Sequence, residues 1–141
     1  MSDVSASFPG MTEQQATHEL EAPFEITEWN ETVYEEPVEG PKLTRITIRK
    51  RYHGTIEGSG VVEVLTAQGA AGAGYVASER VAGTIDGRQG TFVIQHGGLA
   101  EGAHQNSYGN IVPTSGTGEL TNISGHAKEV QREVLTLVYS L

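Results

Sequence analysis

Glu79 and His96 are the residues of this chain best suited to moving a proton. They flank an Asp86-Gly87 pair, and in a hairpin that turns there Ile85 faces Arg88 and Ala77 faces His96. The carboxylate and the imidazole then share one face of the sheet. A four-residue turn would set Glu79 opposite His96 on that same face, whereas a three-residue loop would reverse the relation between the strands. A carboxylate in an apolar interior resists ionisation, and a neighbouring imidazolium or ammonium favours it. One reading makes Glu79 or His96 a general acid or base beside an apolar ligand, moving a proton to or from carbon or steering a cyclisation. The other makes them a satisfied pair inside the fold, since structural networks perturb ionisation as well.

Lys50 and Glu63 form a second candidate pair. In a hairpin turning on Glu57-Gly58, the residues Ile46, Ile48, Lys50, Tyr52, Val61, Glu63 and Leu65 fall on one face, and Val62 and Val64 on the other. The expected interior is therefore apolar but holds Glu79, His96, Glu63, Lys50 and Tyr52. Lys50 has the alternative of reaching out to a rim. Trp29, Tyr52, Glu63, Tyr75, Phe92 and Ile94 are the candidate ligand-binding residues.

Other chemistries find little support. The five histidines, His18, His53, His96, His104 and His126, lack the close His-x-His or His-x3-His spacing of a strand or helix metal site, so no metal is expected. Ser115-Gly-Thr-Gly lacks the Lys and following helix of a phosphate-binding loop, and Ser107 and Ser115 lack a nucleophile elbow. No cofactor is implied. The absence of Cys excludes disulfides and thiolate chemistry and agrees with a reducing, cytoplasmic setting. A net charge of −9 disfavours nucleic acid, because the basic run Lys42 to Arg51 alternates with apolar residues and reads as one face of a strand. No apolar stretch approaches the roughly 20 residues of a membrane helix, and no basic-then-apolar leader opens the chain. No membrane partner is expected.

These side chains need strands to hold them. The phrases Gly54-Thr-Ile-Glu-Gly58 and Gly83-Thr-Ile-Asp-Gly87 each sit between alternating runs, and Gly118-Glu-Leu-Thr-Asn-Ile-Ser-Gly125 is a looser third copy, which predicts one hairpin laid down repeatedly. Met1 to Ala22 is Ser-, Gln- and Glu-rich and reads as a flexible arm, leaving 23–141 as a single barrel domain. The first strand is expected from about Phe24, with a bulge or change of facing between Ile26 and Trp29. Leu43 to Gly54 and Val61 to Gln68 make the first hairpin, and Tyr75 to Ile85 and Arg88 to His96 the second. Gly97 to Asn110 reads as a connection, Ser115 to Leu120 as a Gly-rich strand, and Glu133 to Leu141 as the last strand, with Leu135, Leu137, Tyr139 and Leu141 on one side. No segment has a helical period. About eight short strands predict an all-β antiparallel barrel, which removes the edges an open sheet must protect.

The order Trp29, Leu43-Thr-Arg45, Gly54-Thr-Ile-Glu-Gly58, Glu79-Arg-Val-Ala-Gly83-Thr84, Asp86-Gly-Arg-Gln-Gly90-Thr-Phe92, Gln95-His96-x-Gly98 and Ser115-Gly-Thr-Gly-Glu-Leu120 resembles the bacterial domain of unknown function 3224 family, from about Phe24 to the C-terminus. That family is similar in fold to plant allene oxide cyclase. The resemblance implies an eight-stranded antiparallel barrel with a central cavity and a tendency to form homo-oligomers. It carries over no catalytic residue, because turn glycines and strand patterning specify architecture. The expected role is a small barrel that binds an apolar or aromatic molecule, with cofactor-independent isomerase or cyclase chemistry as its enzymatic version. The alternative is a self-associating structural barrel filled by its own side chains.

Overall fold

Alternation of apolar and polar residues, punctuated by Gly and acidic turn residues, builds an up-and-down sheet that curls until its first strand meets its last. The computed structural model describes residues 16–141. Its strands are β1 (Thr17–Glu35), β2 (Lys42–Tyr52), β3 (Ile56–Gln68), β4 (Gly72–Ile85), β5 (Arg88–Glu101), β6 (His104–Ile111), β7 (Ser124–Gln131) and β8 (Val134–Ser140). They form a closed antiparallel barrel in chain order. β1 does two jobs: Thr17–Pro23 pair with β8, and Phe24–Glu35 pair with β2.

The first strand thus begins earlier than about Phe24. Thr17–Ala22, assigned above to a flexible arm, are strand held by β8; the rest of that expectation falls on residues 1–15, outside the described residues. The irregularity expected after Ile26 is present. The β1–β2 register shifts between Ile26 and Glu28, which lets both Ile26, opposite Lys50, and Trp29, opposite Ile48, face inward.

The second hairpin turns on Asp86-Gly87, with Ile85 opposite Arg88 and Ala77 opposite His96. Both turn residues have positive φ, 49° and 79°, the conformation a tight hairpin with matching twist requires. The first hairpin departs from expectation. It closes on the pair Tyr52–Gly58, with the five residues His53–Glu57 between them and Gly54 at φ +86°, so Lys50 pairs with Gly60 and Ile48 with Val62. This odd-length loop exchanges the faces of β3: Val62 and Val64 point in, and Val61, Glu63 and Leu65 point out.

Two further expectations give way. Gly97 to Asn110 is no connection, since β5 runs on to Glu101 and turns at Gly102 (φ +58°) into β6. Ser115 to Leu120 is not a strand, and the Gly118–Gly125 phrase makes no hairpin. Gly118–Leu120 is a short 3-10 turn that docks on β5, with the Thr117 N–H bonded to the Thr91 carbonyl at 2.8 Å, and drives Leu120 into one end of the barrel.

The interior falls into two clusters. The larger holds Phe24, Tyr52, Ile56, Val81, Ile85, Phe92, Ile94, Ile111, Leu120, Ile123, Leu135, Leu137 and Tyr139, and fills the end that Leu120 closes. The smaller holds Ile46, Ile48, Val62, Val64 and Ala77. Lys50 separates the clusters along β2, between Ile48 and Tyr52, and Glu79 separates them along β4, between Ala77 and Val81.

Candidate functional site

The layer between the clusters is an ionic floor. Glu79 is only 1% exposed, and its two oxygens are both engaged: Lys50 Nζ lies 3.1 Å from Oε1, and the Tyr52 hydroxyl donates to Oε2 at 2.6 Å. The intervening strand makes this reach possible. Lys50 pairs with Gly60, and a Cβ at that position would overlap Glu79 Oε2 and press on the Tyr52 ring, so the missing side chain opens the path from β2 to β4. Lys50 also lies over the Phe24 ring, 4.1 Å from its centroid. Burial, followed by the charge of Glu79, pushes the Tyr52 phenol well above its ordinary range, so it stays protonated and keeps donating.

Above this floor the barrel is an open cup of about 330 Å³. Its walls are Ile26 and Trp29 from β1, Ile46 and Ile48 from β2, Val62, Val64 and Thr66 from β3, Tyr75 from β4, His96 from β5 and Glu129 from β7, with Phe24 and Lys50 at the base. Trp29 is 53% exposed and Tyr75 36%, so two large rings stand at the opening. The Tyr75 and His96 rings meet edge-on with centroids 5.6 Å apart, and the Tyr75 hydroxyl is 3.4 Å from His96 Nδ1. Burial holds the His96 imidazole below its ordinary range, partly opposed by the negative charge of Glu79. At the rim, Gln68 Nε2 donates to Glu31 Oε2 at 3.0 Å, and this bond leads the effects that lower the Glu31 carboxyl.

One side of the wall is thin. β6 and β7 are joined through the single pairing Asn110–His126, and the β7–β8 ladder shifts between Lys128 and Gln131. A small cavity of about 80 Å³ opens there, bounded by Lys50, Glu79, His96, Tyr108, Glu129 and Leu135, and reaches the ionic floor from the side.

Of the residues singled out from sequence, Glu79, His96, Tyr52, Tyr75 and Trp29 face the interior at or above the floor. Glu79 and His96 sit on neighbouring strands and one face, Glu79 opposite Ile94 and His96 opposite Ala77, but the carboxylate turns to Lys50 and Tyr52. Phe92 and Ile94 are fully buried in the filled half and do not line the cup. Glu63 is a correction: it lies on the outer wall, accepting from Arg45 Nε at 3.1 Å and from the Thr47 hydroxyl at 3.0 Å, because the odd-length first loop turns it outward. Lys50 therefore pairs with Glu79 in place of Glu63. Val62, Val64 and Glu129 were missed. Gly54 was the available signal for the first two, since a Gly there lets the chain turn before Glu57-Gly58 and gives an odd-length loop. Glu129 lies on a strand with weak alternation. Among the described residues no group of three or more metal-ligating side chains converges, and no helix is long and apolar enough to cross a membrane.

The family model described as "Protein of unknown function (DUF3224)" matches residues 20–140. The crystal structure of a protein with unknown function from this family, from Shewanella oneidensis MR-1, superposes with a TM-score of 0.75 at 30% identity, covering 89% of this chain and 96% of that one. No curated protein matches the chain.

Proposed function

This chain belongs to the DUF3224 family, so its role has to be argued from its own residues, and we propose that it is a binding barrel whose open half takes a compact apolar or aromatic molecule. One observation carries this reading: the same strands that fill one end with their own side chains leave about 330 Å³ unfilled at the other, walled by Ile46, Ile48, Val62, Val64, Trp29 and Tyr75. Concave, mostly apolar space with a few converging polar groups is what small-molecule sites are made of. Trp29 is the sole tryptophan and stands in the cup, so its emission reports occupancy. Titration with neutral cyclic alcohols of increasing size, from cyclohexanol to 1-adamantanol, should shift that emission saturably, and Val64→Phe should abolish the response without unfolding the protein. An unresponsive Trp29 across the series sinks the reading.

An enzymatic version is favoured by His96, which faces the cup and is kept neutral by burial. In it the neutral imidazole takes a proton from one carbon of the bound molecule, becoming imidazolium, and returns that proton to another carbon, so that a double bond moves and the ring is restored. The floor of Lys50, Glu79 and Tyr52 closes the base of the cup beneath the substrate. His96→Asn should then remove turnover while binding persists.

Self-association belongs to the same proposal. Leu65, Val76, Gly97 and Tyr108 form one row across the outer wall, with the Tyr108 ring laid over Gly97 and all three side chains about half exposed. Light scattering is expected to return more than one chain per particle; a monomer at high concentration would remove this part.

A further inference from the structure

We propose that the cup selects amines, taking an apolar molecule with an ammonium group in preference to its neutral and carboxylate isosteres. This rests on the binding-barrel reading above. Two side chains of fixed charge line the cup, Lys50 at its base and Glu129 on its β7 wall. Among the described residues its single cation is Lys50, which lies at the base, is 9% exposed, and is already committed to Glu79 and the Phe24 face. A carboxylate ligand would have to displace Glu79 to reach it.

The mouth offers the opposite. Glu129 lines both the cup and the side cavity, close enough to Tyr75 and His96 to bias their ionisation. One of its oxygens accepts from the Glu133 N–H at 3.2 Å, and the other has no protein donor among the described residues. Lys128 borders the side cavity alone, and Glu31, with Lys42 near it, lies beyond the lining. Trp29 and Tyr75 line the same opening, both partly exposed, and an ammonium group within reach of aromatic rings is a recurrent recognition mode. His96 adds no competing charge at neutral pH, since burial favours its uncharged form. Apolar walls hold the body of the ligand, and the carboxylate and the rings hold its head.

The test compares three molecules of one skeleton, 1-adamantanamine, 1-adamantanol and 1-adamantanecarboxylate, by calorimetry on the full chain at neutral pH. The amine should bind about tenfold more tightly than the alcohol, within the range of a cation held by rings and a carboxylate, and the carboxylate should bind more weakly than either. Glu129→Gln should weaken the amine by several-fold more than it changes the alcohol, and added salt should erode the amine's advantage. If the alcohol binds but the amine gains nothing over it, or the carboxylate matches the amine, selectivity is overturned and the binding barrel stands. If none of the three binds, amine selection falls, and the binding barrel falls with it when cyclohexanol also leaves the Trp29 emission unmoved.

Discussion

The two halves of this barrel are built from the same strands with the same alternation, yet one is a core and the other a cup. At the filled end Tyr52, Phe92, Ile94, Leu120 and Leu137 are essentially inaccessible. At the open end, inward-facing Ile26, Trp29 and Tyr75 remain exposed although they occupy equivalent positions on β1 and β4. Strand length and end closure make the difference. β3, β4 and β5 run for 13, 14 and 14 residues, whereas β7 and β8 run for 8 and 7 and turn back near Phe24, whose N–H is bonded to the Glu133 carbonyl. The wall is therefore tall on one side and low on the other, and the 3-10 turn plugs only the far end. A cavity here needs no special residues; it needs strands that outrun their neighbours.

The sharpest way to break this comparison is at the layer between the halves. Lys50→Met leaves Glu79 buried without its cation and should destabilise the protein by about 3–5 kcal/mol, whereas Lys50→Met with Glu79→Met should recover most of that loss, as for other buried pairs replaced by apolar residues. Paired denaturant melts decide it, and equal losses in the single and double variants would mean that the floor acts by packing alone. Next in size, Leu120→Ala should cost about 2–5 kcal/mol by opening a void in the filled end. Val64→Ala, in the cup, should cost clearly less, because its neighbours already border open space. Equal costs would erase the distinction between the halves. Gly60→Ala should cost about 1–3 kcal/mol by pushing the Glu79 carboxylate off Tyr52, and should disturb the Trp29 environment less than it disturbs stability.

The smallest effect expected is a pH dependence localised to the cup. His96 is held below the usual histidine range, so the folded state favours the neutral ring. Its contribution is fully present above the unfolded value of about 6.5 and is lost as pH falls through the lower folded value. Stability should therefore decline on acidification more steeply in the parent than in His96→Asn. Tyr52 has the opposite sense: its phenol is raised by burial, so its contribution is present below about 10 and lost at higher pH. Identical acid limbs in parent and variant would place His96 outside the interior.

Much of the filled half was legible in the sequence, and the cup less so. Asp86-Gly87 announces its own turn, and from it the inward set Ala77, Glu79, Val81, Phe92 and Ile94 follows by counting in twos. The last strand reads equally well, because Leu135, Leu137 and Tyr139 alternate cleanly. The first hairpin differs because Glu57-Gly58 carries the same turn chemistry as Asp86-Gly87 while the chain turns earlier, over the five residues His53–Glu57, and an odd loop in place of an even one exchanges every β3 side chain. That single slip sent Glu63 inward and hid the partnership of Lys50 with Glu79. β6 and β7 escaped notice for another reason. The stretch from His104 to Ile111 and that from Ser124 to Gln131 are polar or glycine-rich on both faces, so no hydrophobic period marks them, and tertiary pairing alone makes them strands.

The pairing of Thr17–Pro23 with β8 has a consequence for how the molecule is made. It joins segments at opposite ends of the chain, as the Thr17–Ser140 side-chain contact illustrates. The hairpins from β2 to β6 are local and can form as the chain emerges, but the ring has nothing to close against until the last seven-residue strand has been synthesised. A sheet without that strand would have two bare edges and both apolar clusters facing water. Val134–Ser140 is thus the strand that ends this exposure to aggregation, and deleting it should affect yield in the cell before it affects anything the cup does.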